Sequence, residues 1–150
     1  MKRTALLLAA AFAALSLSAQ NFDDHFEDAT LRLDYAICGD AHHQAIYLEQ
    51  LSRTSVWAGR RTNLAEPLLS GNGQVTVRSL ETGEILYRNS FSTLFQEWQA
   101  TEEAAHMQKA FENCLQVPFP KHPVDIEVTL LDTHAKVSSR IRHRIDPSDI

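Results

Sequence analysis

Seven histidines, His25, His42, His43, His106, His122, His134 and His143, are the first residues to test for chemistry. A zinc-protease helix needs two His four positions apart with Glu after the first, and none of the seven has that surrounding. Asp40, His42 and His43 are close in sequence, but adjacent side chains on extended backbone point to opposite faces, and a turn is an ordinary place for solvated His. Glu103 and His106 make one E-x-x-H step, whereas a dimetal carboxylate site uses that step twice with two further Glu. Nucleophile signatures are missing as well: there is no G-x-S-x-G, no C-x-x-C and no glycine-rich phosphate loop. Ser70-Gly71-Asn72-Gly73 reads as a chain reversal, because Gly and Asn are what a turn requires. Arg140, Arg142 and Arg144 fall on one face of a strand and could touch an anionic partner. The simpler reading is a solvated face whose arginines pair with Glu127 and Asp125 across a hairpin. The residues themselves therefore assign no catalytic, cofactor-binding or metal position.

The elements that would position these groups follow from hydrophobic period. Leu31, Leu33, Tyr35 and Ile37 alternate with Thr30, Arg32, Asp34 and Ala36, which predicts a half-buried strand over Thr30 to Cys38. After a Gly39-Asp40 turn, Gln44 to Leu51 predicts a second strand with Ile46 and Leu48 inward. Ser52 to Ser70 has no sustained period and reads as a long connection. Gln74 to Ser79 and Glu84 to Arg88 predict a hairpin closed by Glu81-Thr82-Gly83, with Gly83 left-handed and Val75, Val77, Ile85 and Tyr87 on one face. Phe91, Leu94, Phe95 and Trp98 have helical spacing and predict a short buried helix face capped by Ser90 or Ser92. Thr101, Glu102 and Glu103 look like a second helix start, carrying Ala104, Met107 and Phe111 on one side. Pro118 and Pro120 exclude helix, so Cys114 to Phe119 is an edge strand at most. Val124 to Ile145 predicts a second hairpin with a four-residue turn, Asp132 to Ala135, that sets Glu127 against Arg140 and Asp125 against Arg142. Val137, Ile141 and Ile145 should face inward there. The expected fold is mainly β, an antiparallel two-sheet sandwich with one or two short helices.

The N-terminus has the three-part order of a secretory signal peptide: Lys2 and Arg3, an Ala- and Leu-rich run from Ala5 to Leu17, then small residues Ser18 and Ala19 before Gln20. The apolar run is shorter than the roughly 18 residues of a membrane span, so residues 1–19 are expected to be removed and residues 20–150 to form one exported, periplasmic or secreted domain. Losing Lys2 and Arg3 takes the formal charge from −5 to −7. An acidic chain argues against a nucleic-acid partner, which needs a dense positive surface. An oxidising compartment permits a Cys38–Cys114 disulfide, while the place of Cys38 on the polar face of its strand favours two free thiols.

Thr30-Leu31-Arg32-Leu33-Asp34-Tyr35, Trp57-Ala58-Gly59-Arg60-Arg61, Gly71-Asn72-Gly73-Gln74, Ser90 to Trp98, Phe111-Glu112-Asn113 and Val117-Pro118-Phe119-Pro120 together resemble a known family. It is the N-terminal domain of the secreted bacterial IgA-peptidase family of zinc metallopeptidases. The likeness runs in order from about Phe26 to Ile150. It implies a β-sandwich placed before a catalytic domain, with the zinc ligands in that later domain and none in this chain. Asp146 to Ile150 resembles the point where the family's chain leaves this domain, and neither cysteine belongs to the family pattern. Two function classes follow: an accessory domain partnered with a catalytic metallopeptidase domain and its secreted protein substrate, or a free-standing binding module for a host protein or surface glycan.

The exported product is expected to begin at Gln20. N-terminal sequencing of protein recovered from the periplasm or medium checks this, and an intact Met1 in a membrane fraction would contradict it.

Overall fold

The computed structural model describes residues 21–66 and 70–150. The expected signal peptide and Gln20 lie outside the described residues. A four-residue helix α1 (Phe22–His25) leads into β1 (Phe26–Gly39), followed by β2 (Gln44–Ser55), β3 (Gly73–Ser79), β4 (Ile85–Phe91), helix α2 (Leu94–Gln99), β5 (Lys109–Pro120), β6 (Val124–Leu131) and β7 (Val137–Ile145). Two antiparallel sheets result, one ordered β2-β1-β5 and the other β4-β3-β6-β7. The fold is the expected mainly β, two-sheet arrangement. Between the sheets lie Leu31, Leu33, Tyr35 and Ile37 of β1 with Val75, Val77, Val124, Ile126, Val128 and Leu130, all buried as the alternation requires. No helix among the described residues is long and apolar enough to cross a membrane.

Several boundaries differ from the sequence reading, each for a local reason. Strand β2 runs on to Ser55 because Asp34 pairs with Gln50 while Tyr35 pairs with Leu48, leaving Glu49 as a bulge. One extra residue flips every later side chain to the other face, so Leu51 rather than Gln50 points inward and the period vanishes from the sequence. The supposed second helix shrinks to a single 3-10 turn, Glu103–Ala105. Phe111 is instead in β5, opposite Ile37, and Met107 is exposed. The β3–β4 loop holds Gly83 at φ 74°, as its left-handed role demands. A bulge there pairs Ile85 with Arg78 on the outer face, so only Val75, Val77 and Tyr87 share the inner one.

The β6–β7 register is offset by two residues from the expected one. The turn spans five residues, Asp132 to Lys136, with Asp132 N donating to Lys136 O at 2.8 Å and the Asp132 carboxylate accepting from the amides of His134 and Lys136. Ser138 is then bulged between the Leu131–Val137 and Leu130–Ser139 pairs. A shift of two keeps the same faces, and Ile126 now meets His143 and Glu127 meets Arg142. Val137, on the far side of the bulge, is 54% exposed rather than inward.

The aromatic helix also departs from expectation. Thr93, not Ser90 or Ser92, caps α2 by accepting from Gln96 N at 3.3 Å. Phe91 ends β4, Leu94 faces solvent, and Phe95 and Trp98 alone are buried, Phe95 edge-on and Trp98 tilted against Phe111 at ring separations of 5.4 and 5.6 Å. Phe95→Ala should therefore cost about 3–5 kcal/mol, and Leu94→Ser should stay within about 0.5 kcal/mol of the parent. Urea denaturation of the two variants checks the difference.

Candidate functional site

Trp57-Ala58-Gly59-Arg60-Arg61 lies on a strap that leaves the end of β2 and reaches the free edge of β4. Val56 turns the chain at φ 56°, and its carbonyl accepts from Thr30 Oγ1 at 2.8 Å. Trp57 is buried edge-on against Tyr87 at 5.9 Å, and its indole N–H donates to Arg60 O at 3.0 Å. Arg60 turns inward, its guanidinium 5.3 Å from the Tyr87 ring centre, and donates to the carbonyls of Leu64 (3.1 Å), Glu66 and Arg88. Arg88 N returns a bond to Leu64 O at 2.8 Å, so the strap pairs with the edge of β4. Arg61 turns outward, bonds Asp28 and lies 4.6 Å from the Phe22 ring, tying the strap to α1. Any Cβ at Gly59 would stand 2.2 Å from the Trp57 ring, so only glycine fits.

Beneath the strap is a polar groove of about 580 Å³ lined by Thr30, Thr54, Trp57, Arg60, Asn89 and Gln116 among others. It brings together no nucleophile with a base: Thr30 Oγ1 is spent on Val56 O, and Arg60 on three carbonyls. The arrangement can hold a strap in place and donate or accept hydrogen bonds.

Ser70-Gly71-Asn72-Gly73 is not the reversal read from the sequence. Neither Gly71 nor Gly73 has positive φ. A Cβ at Gly71 would lie 2.0 Å from Phe91 O and one at Gly73 2.4 Å from the Phe91 ring, so both glycines permit close approach to the end of β4. Between them, Asn72 exchanges two 2.9 Å bonds with Thr93, its Oδ1 accepting from Thr93 N and its Nδ2 donating to Thr93 Oγ1. Asn72 O accepts from Leu131 N at 2.7 Å. One residue thus joins β3, the α2 cap and β6.

The histidine positions are separate from this groove. Asp40 Oδ1 accepts from the amides of His42 (2.9 Å) and His43 (3.0 Å) and contacts His43 Nδ1 at 3.1 Å. The His42 amide bond is the largest of the influences that hold the Asp40 carboxyl down at about 2. Glu103 accepts from Lys109 Nζ at 2.6 Å and from the Trp98 indole at 2.7 Å, which lowers its pKa and spends its carboxylate on fixing the aromatic cluster. Among the described residues no three His, Cys, Asp or Glu stand together as a metal site would need. Cys38 and Cys114 are free. They pair across β1 with Ala110 and Asp34, four residues apart along the strand, and at about 3.3 Å per residue that separation is beyond a disulfide's reach.

Residues 21–142 match the family described as Peptidase M64 N-terminus. The chain belongs to that family. No curated protein matches it significantly. Membership points to an accessory domain type of the M64 peptidases, and it agrees with the resemblance read from the Trp57 to Arg61 and Ser90 to Trp98 segments.

These segments are visible in the sequence but their task is not, because a half-buried Arg bonding carbonyls looks in one dimension like any exposed Arg. Arg60→Lys should lower stability by about 1.5–3 kcal/mol, since an ammonium cannot reproduce the planar fork that spans three carbonyls. Arg61→Lys, at an exposed pair, should change it by less than about 1 kcal/mol. Paired denaturation curves measure both.

Proposed function

We propose that this chain is the exported, non-catalytic domain of an M64 zinc metallopeptidase. It folds as residues 20–150 after loss of the signal peptide and positions a catalytic domain in the same polypeptide or a substrate of it. The observation that carries this reading is the M64 N-terminus match across residues 21–142. The spending of the family-like segments on packing and backbone hydrogen bonds supports it, because a domain whose signature residues hold the fold needs none of them for turnover. Zinc and the residues that would activate water on it belong, on this proposal, to the catalytic domain.

A second reading is a free-standing binding module, for which the arginine-bearing sheet face described below speaks. An H-E-x-x-H motif in the polypeptide beyond Ile150 would favour the first reading. The decisive test is metal analysis after dialysis together with an immunoglobulin-cleavage assay, run on residues 20–150 and on the same domain followed by an M64 catalytic domain. The expected result is zinc and cleavage in the longer polypeptide only. Stoichiometric zinc with cleavage by residues 20–150 alone would overturn the proposal.

A further inference from the structure

The outer face of the four-stranded sheet gathers charge that is scattered in the sequence. Register places Arg88, Thr76, Glu127 and Arg142 in one row across β4-β3-β6-β7, and Ile85, Arg78, Asp125 and Arg144 in the next. Ser90, Gln74, Thr129 and Arg140 form a third. Five arginines thus share a face with two carboxylates, on a chain whose formal charge is −5. Glu127 is 2.7 Å from Arg142 and 3.9 Å from Arg140, and Asp125 is 3.8 Å from Arg144. The side chains of Arg140, Arg142 and Arg144 remain 51, 60 and 74% exposed, so each keeps donors turned to solvent. Arg78 and Arg88 form no ion pair with a described residue.

We propose that this face docks an extended, acidic polypeptide segment carrying Asp or Glu at alternate positions. Three features select that partner. Same-face residues of an extended strand repeat about every 6.6–6.8 Å, so carboxylates at alternate positions match Arg140, Arg142 and Arg144, which have that period by construction. All five cations are arginine, whose planar fork takes a carboxylate through two parallel bonds, while lysine would supply only a point charge. The three rows contain no aromatic ring, so sugar rings and nucleobases find no stacking platform. Glu127 and Asp125 lie among the cations and would repel a uniform polyanion, which favours a segment whose carboxylates are spaced apart. The proposal goes beyond accessory function and stands whether or not a catalytic domain follows.

The test is fluorescence anisotropy of the purified protein with a labelled eleven-residue peptide alternating Glu with Thr. A block isomer of the same composition, a heparin oligosaccharide and phosphatidylglycerol vesicles complete the set. The alternating peptide should bind at least about tenfold tighter than the block isomer, and binding should weaken in 0.5 M salt. Arg140→Gln/Arg142→Gln/Arg144→Gln should weaken it at least about tenfold, and the corresponding Lys triple should fall between. If the Gln triple misfolds by circular dichroism, Arg142→Gln alone supplies the comparison and should still weaken binding severalfold. Equal affinity for the two isomers, binding unchanged in a folded variant, binding of heparin or vesicles in preference to the peptide, or no binding of the peptide at millimolar concentration would each overturn the proposal.

Discussion

Strand β1 is hydrogen-bonded along both edges, to β2 on one side and β5 on the other, and its inner side chains Leu31, Leu33, Tyr35 and Ile37 are at most 3% exposed. Fully burying a large apolar side chain stabilises by roughly 1.5–3 kcal/mol, so no neighbouring segment can choose a conformation that uncovers these four. Their demand extends to Lys109–Pro120. Ala104, Met107 and Phe111 have helical spacing, and a chain isolated from its surroundings would have reason to continue the turn. As a strand, the same stretch satisfies the second edge of β1 and delivers Phe111, Leu115 and Val117 to the core side of Ile37, Leu33 and Leu31. Propensity gives way to pairing, and β5 becomes an edge strand whose far end Pro118 and Pro120 protect from further pairing.

What was legible in the sequence was period. Strand β1, the inner faces of β3 and β6 and the left-handed Gly83 all follow from local pattern and are found in place. What was not legible was irregularity. The bulges at Glu49 and Ser138 each add one residue, which alternation cannot reveal because the residues on either side remain a plausible mixture of polar and apolar. Phe91 shows a different failure: the last inward residue of a strand and the first apolar residue of a helix look identical when the strand ends two residues before the cap. Thr93 was a legitimate cap by chemistry, and only its bonds to Asn72, far away in sequence, fix the helix start there instead of at Ser90 or Ser92.

The segments that identify the family describe a scaffold. Trp57 and Gly59 shape the strap, Arg60 holds it to β4, and Asn72 joins three elements through bonds whose loss would strand buried polar groups at about 1–3 kcal/mol each. Such positions tolerate few replacements, because the close approaches at Gly71 and Gly73 and the fork of Arg60 have no substitutes of equal shape. A motif can therefore be highly specific for a fold and silent about chemistry, and this chain's motifs are of that kind.

The arginine face shows the converse relation between sequence and site. Arg140, Arg142 and Arg144 stand out in the sequence by their period of two, and the sequence alone assigns them to pairing with two acids. Arg78 and Arg88 carry no such mark, since each is a single cation in a different strand. Sheet order alone places Arg78 and Arg88 on the same surface, and the register shift of two leaves Glu127 shared by Arg140 and Arg142 and moves Asp125 from Arg142 to Arg144. With two carboxylates divided among three arginines on β7, intramolecular pairing cannot saturate the forks, each of which offers five N–H donors. Exposed pairs of this sort add little to stability, so fold maintenance does not explain five guanidinium groups on one face. Recognition of external carboxylates does, because the cost of organising the cations has already been met by the sheet that carries them.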